Sequence, residues 1–150
     1  MSYKAIDVAR YIVNLCIKDD SPISNLQLQK ILYYLQFDYY EKNSEILIED
    51  EFEAWQFGPV ISEVYDMFCV NGGNPITFVY PEVDEKIISN QDRKYIDKKV
   101  RRLRNKNPWD MVEETHRKGS AWDITYDNGR GIKRIIHKDL IFEKGLLLTA

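Results

Sequence analysis

The sequence predicts a mainly α (α+β) fold, a compact bundle of about five or six helices with a small β element and a central second helix. Apolar residues recur at helical spacing in several segments of the 150-residue chain. Alternation typical of a strand occurs around residues 52–56. Since 44% of the residues are hydrophobic, there is material for one core. We therefore expect residues 1–150 to form a single domain.

Helix one and the start of helix two follow from apolar spacing and capping residues. Residues 5–17 place small and apolar side chains at helical spacing, which predicts helix one. Pro22 disfavours helical geometry at the residue before it, so helix one ends in the polar segment ahead of Pro22. Ser24 has Gln27 three residues further on, and this capping-box pattern predicts the start of helix two.

Helix two is apolar on two opposite faces. Leu28 and Leu35 belong to one face, and the other face is rich in aromatic residues. A helix that is apolar on two sides is usually packed from both directions, so we expect helix two to be the spine of the core. The alternative is that the aromatic face is an exposed surface for a partner, because Tyr is enriched at protein interfaces. Its candidate partner-binding residues are Tyr33, Phe37 and Tyr40.

A strand and a third helix are predicted from the segment EAWQFGPVISEVY at 53–65. The alternation around 52–56 predicts a short strand, compatible with half of a small hairpin, that stops at Gly58. Pro59 lacks an N–H and has a fixed φ, which places it in the first turn of helix three. The apolar face of this helix would consist of Val60, Ile61, Val64, Tyr65 and Phe68.

Two further helices are predicted from their caps. Residues 76–83 are either a second strand or simply extended. Ser89, with Asp92 three residues on, can cap helix four. Asn107 can cap helix five, with Pro108 in its first turn.

The C-terminal part is predicted as loops followed by two short elements. Residues 117–122 and 127–131 are rich in small and polar residues and indicate loops. Residues 132–150 predict a final short strand or extended piece, then a short helix.

Composition excludes several classes of protein. The net charge is −3, so the molecule as a whole does not attract nucleic acid strongly. No signal peptide opens the sequence, and no apolar run approaches the ~20 residues needed to cross a membrane. Cys16 and Cys69 are far apart and do not form a CxxC pair, which is typical of a reduced protein. We therefore expect a cytoplasmic protein that does not bind membranes.

The sequence contains little that points to catalysis. His116 and His137 are its histidines, and neither has metal-ligand spacing to Cys, Asp or Glu. We therefore expect no metal, no cofactor and no enzymatic activity. His116 falls on a helical stripe with Trp109 and Val112, which predicts a buried or half-buried ring held by one hydrogen bond. The alternative is a hydrolase or transferase centred on Thr115, His116 and Ser120.

Positive charge is concentrated in helix four. The stretch KKVRRLRNK at 98–106 holds six Lys or Arg in nine residues. A charge run of this kind is usually a solvated face. The two functional interpretations are docking of an acidic protein and contact with nucleic acid through Arg101, Arg102 and Arg104.

Three motifs stand in order along the chain: LQLQKILYYLQ at 26–36, EAWQFGPVISEVY at 53–65 and ETHRKGSAW at 114–122. In this order and spacing they resemble the Panacea domain, the SocA-like antitoxin family, many members of which are phage-associated proteins. In the third motif Ala121 replaces the Pro that the family usually has, so the loop lacks a stiffening residue. The residues that match the family motifs are Gln29, Lys30, Trp55, Gly58, Pro59, Tyr65, Thr115, His116, Ser120 and Trp122.

The resemblance implies a non-enzymatic antitoxin that binds a toxin encoded nearby and neutralises it by direct protein–protein interaction. Because the family pairs with many unrelated toxins, it implies no particular toxin activity. The resemblance also implies a bare Panacea domain, since the chain has no room for the additional domain of many members. We expect a framework built from Trp55, Gly58, Pro59, Trp109, His116 and Trp122. The alternative is a nucleic-acid-binding regulator of phage or operon origin that uses the basic helix 93–106.

Overall fold

The protein is mainly α-helical with one small antiparallel sheet, as predicted. The structure, a computed structural model, describes residues 1–80 and 85–147. In these two ranges the helices are Ala5–Lys18 (α1), Asn25–Asn43 (α2), Ser62–Phe68 (α3), Asn90–Leu103 (α4), Pro108–Thr115 (α5), Ala121–Tyr126 (α6) and Lys138–Lys144 (α7). The strands are Phe52–Trp55 (β1), Gly58–Val60 (β2) and Ile135–Ile136 (β3), in the order β2-β1-β3.

Helix α2 is the centre of the fold, and it packs against α1, α3, α4, α5, α7 and β2. Its aromatic face is covered. Tyr33 is completely buried, packs edge to face on Phe52 and donates a hydrogen bond of 3.2 Å to the Gly145 carbonyl. Phe37 is buried as well, and Tyr40 stacks on Phe142 of α7. The prediction that α2 is packed from both directions is therefore confirmed, and the alternative of an exposed face with Tyr33 and Phe37 is wrong, because β1 and α7 pack over it.

The segment around Pro59 differs from the prediction. Strand β1 and strand β2 form a hairpin in which Pro59 lies opposite Ala54. Pro59 is therefore in a strand, and α3 begins three residues later at Ser62. The edge of a sheet tolerates Pro because an edge strand does not need every N–H for pairing. Tyr65, expected to face the core with Val64, is instead exposed.

The predicted starts of α2, α4 and α5 are confirmed by their hydrogen bonds. Ser24 and Gln27 form a reciprocal capping box at α2. The Ser89 hydroxyl accepts a hydrogen bond of 3.1 Å from the Asp92 backbone N–H at α4. The Asn107 side chain accepts one of 2.9 Å at α5, whose first turn contains Pro108.

Two segments differ from their predicted state or fall partly outside the description. Residues 121–126, taken in part as a loop, form the short helix α6, which Ser120 caps by accepting a hydrogen bond from Asp123 N–H at 3.2 Å. Residues 76–80 are extended without strand pairing, and residues 81–83 of the same prediction lie outside the described residues. The predicted strand and helix at the C-terminus are present as β3 and α7.

Candidate functional site

The three sequence motifs meet around Gly58. Lys30 of α2 is completely buried, and its Nζ donates a hydrogen bond to the Phe57 carbonyl. A Cβ placed on Gly58 would overlap Lys30 Nζ and lie 3.2 Å from Thr115 Oγ1. Gly58 also has a φ of +116°, which glycine adopts without strain. Position 58 therefore requires glycine both for its backbone and for the space that Lys30 occupies.

Lys30 is a buried cation without a counter-ion in the part of the chain that the structure describes. Burial lowers the pKa of Lys30 from 10.5 to about 7. An ammonium has three N–H donors, and the Phe57 carbonyl is the hydrogen-bond acceptor that the described residues supply. Burying a charge without a partner is unfavourable, so the burial of Lys30 lowers the free energy of unfolding.

Gln29, beside Lys30, fixes the start of α3. Its Oε1 accepts a hydrogen bond of 3.1 Å from Ile61 N–H, and its Nε2 donates one of 3.1 Å to Asn25 Oδ1. Asn25 Nδ2 in turn donates to the Tyr65 carbonyl at 3.2 Å. This chain of amides ties the first motif to the second.

The third motif forms an aromatic stack. The His116 ring lies parallel to Trp122 with a centroid distance of 3.6 Å, and Trp122 stacks on Tyr126 at 4.5 Å. Trp122 Nε1 donates a hydrogen bond of 2.7 Å to the Trp55 carbonyl, which ties α6 to β1. Trp109, predicted on the same helical stripe as His116, packs edge to face on Phe57 instead and is largely exposed.

In the part of the chain that the structure describes, one of the two ring nitrogens of His116 is without a hydrogen bond. Its Nε2 is buried without a hydrogen-bond partner among the described residues. Burial, together with the positive charge of Lys30, lowers the pKa of His116 to about 4, against an opposing effect of Asp123. His116 is therefore neutral at physiological pH.

The two hydroxyls of the third motif bind backbone carbonyls. Thr115 Oγ1 donates to the Val112 carbonyl at 2.9 Å, and Ser120 Oγ donates to the Thr115 carbonyl at 2.7 Å. His116 Nε2 accepts a hydrogen bond from neither hydroxyl. A nucleophile and its base need such a contact, so the arrangement of these three residues favours a structural role.

A groove of about 720 Å³ lies in front of Lys30. It runs between the first turns of α2 and α5, the β1–β2 turn, α3 and the segment before β3. We call it the aromatic groove. Its lining includes Lys30, Trp55, Phe57, Tyr65, Trp109 and Lys133.

Aromatic rings form the exposed rim of this groove. Trp109 is 57% exposed, Phe57 50% and Tyr65 37%. Phe57 and Trp109 pack edge to face with their ring centroids 5.7 Å apart, and the ring centroids of Trp55 and Tyr65 are 4.9 Å apart. Lys133 Nζ lies 5.0 Å from the centre of the Trp55 ring, which allows a cation–π contact. Large exposed aromatics grouped in this way are typical of an interaction surface.

Sequence reasoning missed Phe57 and Trp109 as groove residues. Trp109 was expected in the framework with His116. Phe57 lies in the turn between two strands, and Trp109 lies in the first helical turn after Asn107. These positions were the signals that could have identified the two residues. Both positions project from the ends of elements, where a large ring is readily left exposed.

Helix α4 and its C-cap residue Arg104 pair part of their positive charge with acids. Arg101 and Arg104 each contact Asp19 at 2.9 Å, and together they lower the pKa of Asp19 to about 2. Lys99 pairs with Asp38 at 3.0 Å. Arg102 is exposed. The cationic face predicted at Arg101, Arg102 and Arg104 is thus partly neutralised.

Residues 1–80 and 85–147 offer neither a cluster of metal ligands nor a helix that could span a membrane. This part of the chain holds no group of three or more His, Cys, Asp or Glu that could bind a metal ion. None of its helices combines the length and apolar character that a membrane crossing requires.

Comparison with known proteins assigns the family. The family model described as "Antitoxin SocA-like, Panacea domain" matches residues 28–123. The chain belongs to this family. The protein is also similar to Antitoxin SocA of Caulobacter vibrioides (strain NA1000 / CB15N), with 31% identity over 138 residues, covering 82% of this chain and 72% of the relative. No solved structure matches. The matched span of the Panacea model contains Lys30, Gly58, Thr115 and the exposed rings of the aromatic groove.

Proposed function

We propose that this protein is a non-catalytic antitoxin that binds a partner toxin and neutralises it by direct contact. The observation that carries the proposal is the aromatic groove, an exposed aromatic surface to which the first two family motifs contribute. Membership of an antitoxin family supports the role. The hydroxyls of Thr115 and Ser120, both bonded to carbonyls, support a mechanism without catalysis.

Co-expression with the product of the neighbouring gene tests the proposal. We expect that product to arrest growth alone, growth to recover with this protein, and the two chains to copurify. Phe57→Ala and Trp109→Ala together should abolish rescue and copurification. Ile124→Ala is the matched control, because Ile124 is an exposed apolar residue outside the groove. A harmless neighbour, or one that remains toxic beside the wild-type protein, would exclude the proposal.

The alternative of a nucleic-acid-binding regulator has less support. A DNA-binding helix needs cations that are free for phosphates, whereas Arg101 and Arg104 share Asp19. A mobility-shift assay at low salt with the promoter DNA of its own operon addresses this alternative. A complex that dissociates steeply with added salt and is weakened by Arg102→Ala would favour it over the groove.

A further inference from the structure

The charge of the aromatic groove differs from that of the rest of the molecule. The chain has 24 acidic and 21 basic residues. The described residues that line the groove nevertheless include two lysines, Lys30 and Lys133, and no Asp or Glu. An apolar groove with positive charge and no acids is complementary to an apolar ligand that carries negative charge.

The two lysines lie at different depths. Lys30 is completely buried behind the β1–β2 turn. Burial lowers its pKa to about 7, so near neutral pH about half of the molecules carry the ammonium, and a carboxylate bound nearby favours the charged form. Lys133 is exposed at the rim, with its Nζ beside the Trp55 ring. A carboxylate bound at the rim would therefore form an ion pair with Lys133. It would also be attracted by the ammonium of Lys30, which lies deeper in the groove.

The rings define the apolar part of the ligand. Phe57 and Trp109 lie on one side of the groove entrance and form an edge-to-face pair, and Tyr65 contributes a third exposed ring. A groove of about 720 Å³ accommodates one or two large side chains with adjoining backbone.

We propose that the aromatic groove is the docking site for an acidic segment of the partner protein. An aromatic or aliphatic side chain of that segment inserts between Phe57, Tyr65 and Trp109, and a neighbouring carboxylate pairs with Lys133. The inference rests on the proposed function, since it assigns the surface and the chemistry by which the antitoxin recognises its toxin.

Selection of phage-displayed random dodecapeptides on the full-length protein tests the inference. We expect enrichment of peptides in which Asp or Glu adjoins an aromatic or aliphatic residue. Enriched peptides should bind Lys133→Glu about tenfold more weakly. Lys118→Glu makes the same charge change at an exposed lysine outside the groove and should bind as the wild type does. Enrichment of basic peptides, equal binding to both variants, or no enrichment overturns the inference.

Toxin rescue by the same variants separates this inference from the proposed function. If Lys133→Glu rescues growth fully and the selected peptides bind it normally, the inference fails while the antitoxin role stands. If the wild-type protein rescues nothing although its groove selects acidic peptides, the proposed function fails. Loss of rescue in Lys133→Glu, with rescue retained in Lys118→Glu, supports both.

Discussion

The ammonium of Lys30 occupies the space that a side chain at Gly58 would fill. Lys30 of α2 and Gly58 of β2 are therefore in direct contact, and Thr115, from a third segment, is the other neighbour of this space. This contact explains why a lysine in the first motif and a glycine in the second occur together. Lys30 also connects the core to the aromatic groove, because it donates a hydrogen bond to the carbonyl of Phe57 in the hairpin turn.

Gly58→Ala should destabilise the fold. The new Cβ would clash with Lys30 Nζ, and alanine would be strained at a φ of +116°. We expect a loss of at least about 2 kcal/mol in the free energy of unfolding, measured by urea denaturation. Gly73→Ala is the control. Its added Cβ would meet nothing within 4 Å, so the change should stay within about 0.5 kcal/mol.

The steric part of this loss is separable from the backbone part. In a Lys30→Ala background the clash is removed and the strained φ remains. The penalty of Gly58→Ala should therefore be smaller there, a coupling that a double-mutant cycle measures. An equal penalty in both backgrounds would show that Lys30 does not occupy this space.

Lys30→Met should change how stability depends on pH. Burial lowers the folded pKa of Lys30 to about 7, so between pH 7 and its ordinary value of 10.5 the unfolded chain binds more protons. Wild-type stability relative to Lys30→Met should therefore rise with pH, by about 2 kcal/mol between pH 7 and pH 9. His116, whose pKa the charge of Lys30 lowers, is neutral in the wild type between pH 7 and pH 9, so the difference in this window reports on Lys30. Parallel pH profiles would contradict a buried, desolvated ammonium.

His116→Phe should change the pH dependence of stability in the same sense as Lys30→Met, but at lower pH. The folded pKa of about 4 lies below the ordinary value of 6.5, so the unfolded state takes up a proton first as the pH falls. Wild-type stability should be lost between these two values, whereas Phe keeps a ring against Trp122 and does not titrate. Denaturation at pH 7 and at pH 5 compares the two proteins. If acidification weakens both equally, His116 is not a buried neutral ring.

Local signals in the sequence predicted much of the helical framework. Ser24 and Gln27 specify the start of α2 through their own hydrogen bonds, and Asn107 with Pro108 does so for α5. These interactions involve residues close in the chain, so a sequence pattern contains them. The double apolar face of α2 likewise predicted a helix packed on both sides.

Tertiary contacts decided the features that the sequence did not predict. Pro59 is equally suited to a first helical turn and to an edge strand, and pairing with β1 selects the strand. Lysine is almost never fully buried without a partner, so no pattern indicated the position of Lys30. His116 lies just past the end of α5, where the backbone turn directs the ring to Trp122.

Trp122→Ala and Trp109→Ala should separate fold from recognition. Trp122 is buried between His116 and Tyr126, and its Nε1 donates to the Trp55 carbonyl. Its loss should cost about 3–5 kcal/mol in the free energy of unfolding. Trp109 is mostly exposed, and removing it should change stability by less than about 1 kcal/mol. Thermal denaturation measures both. A Trp109→Ala protein as unstable as Trp122→Ala would place Trp109 in the framework, and its loss of toxin rescue could then not be assigned to the groove.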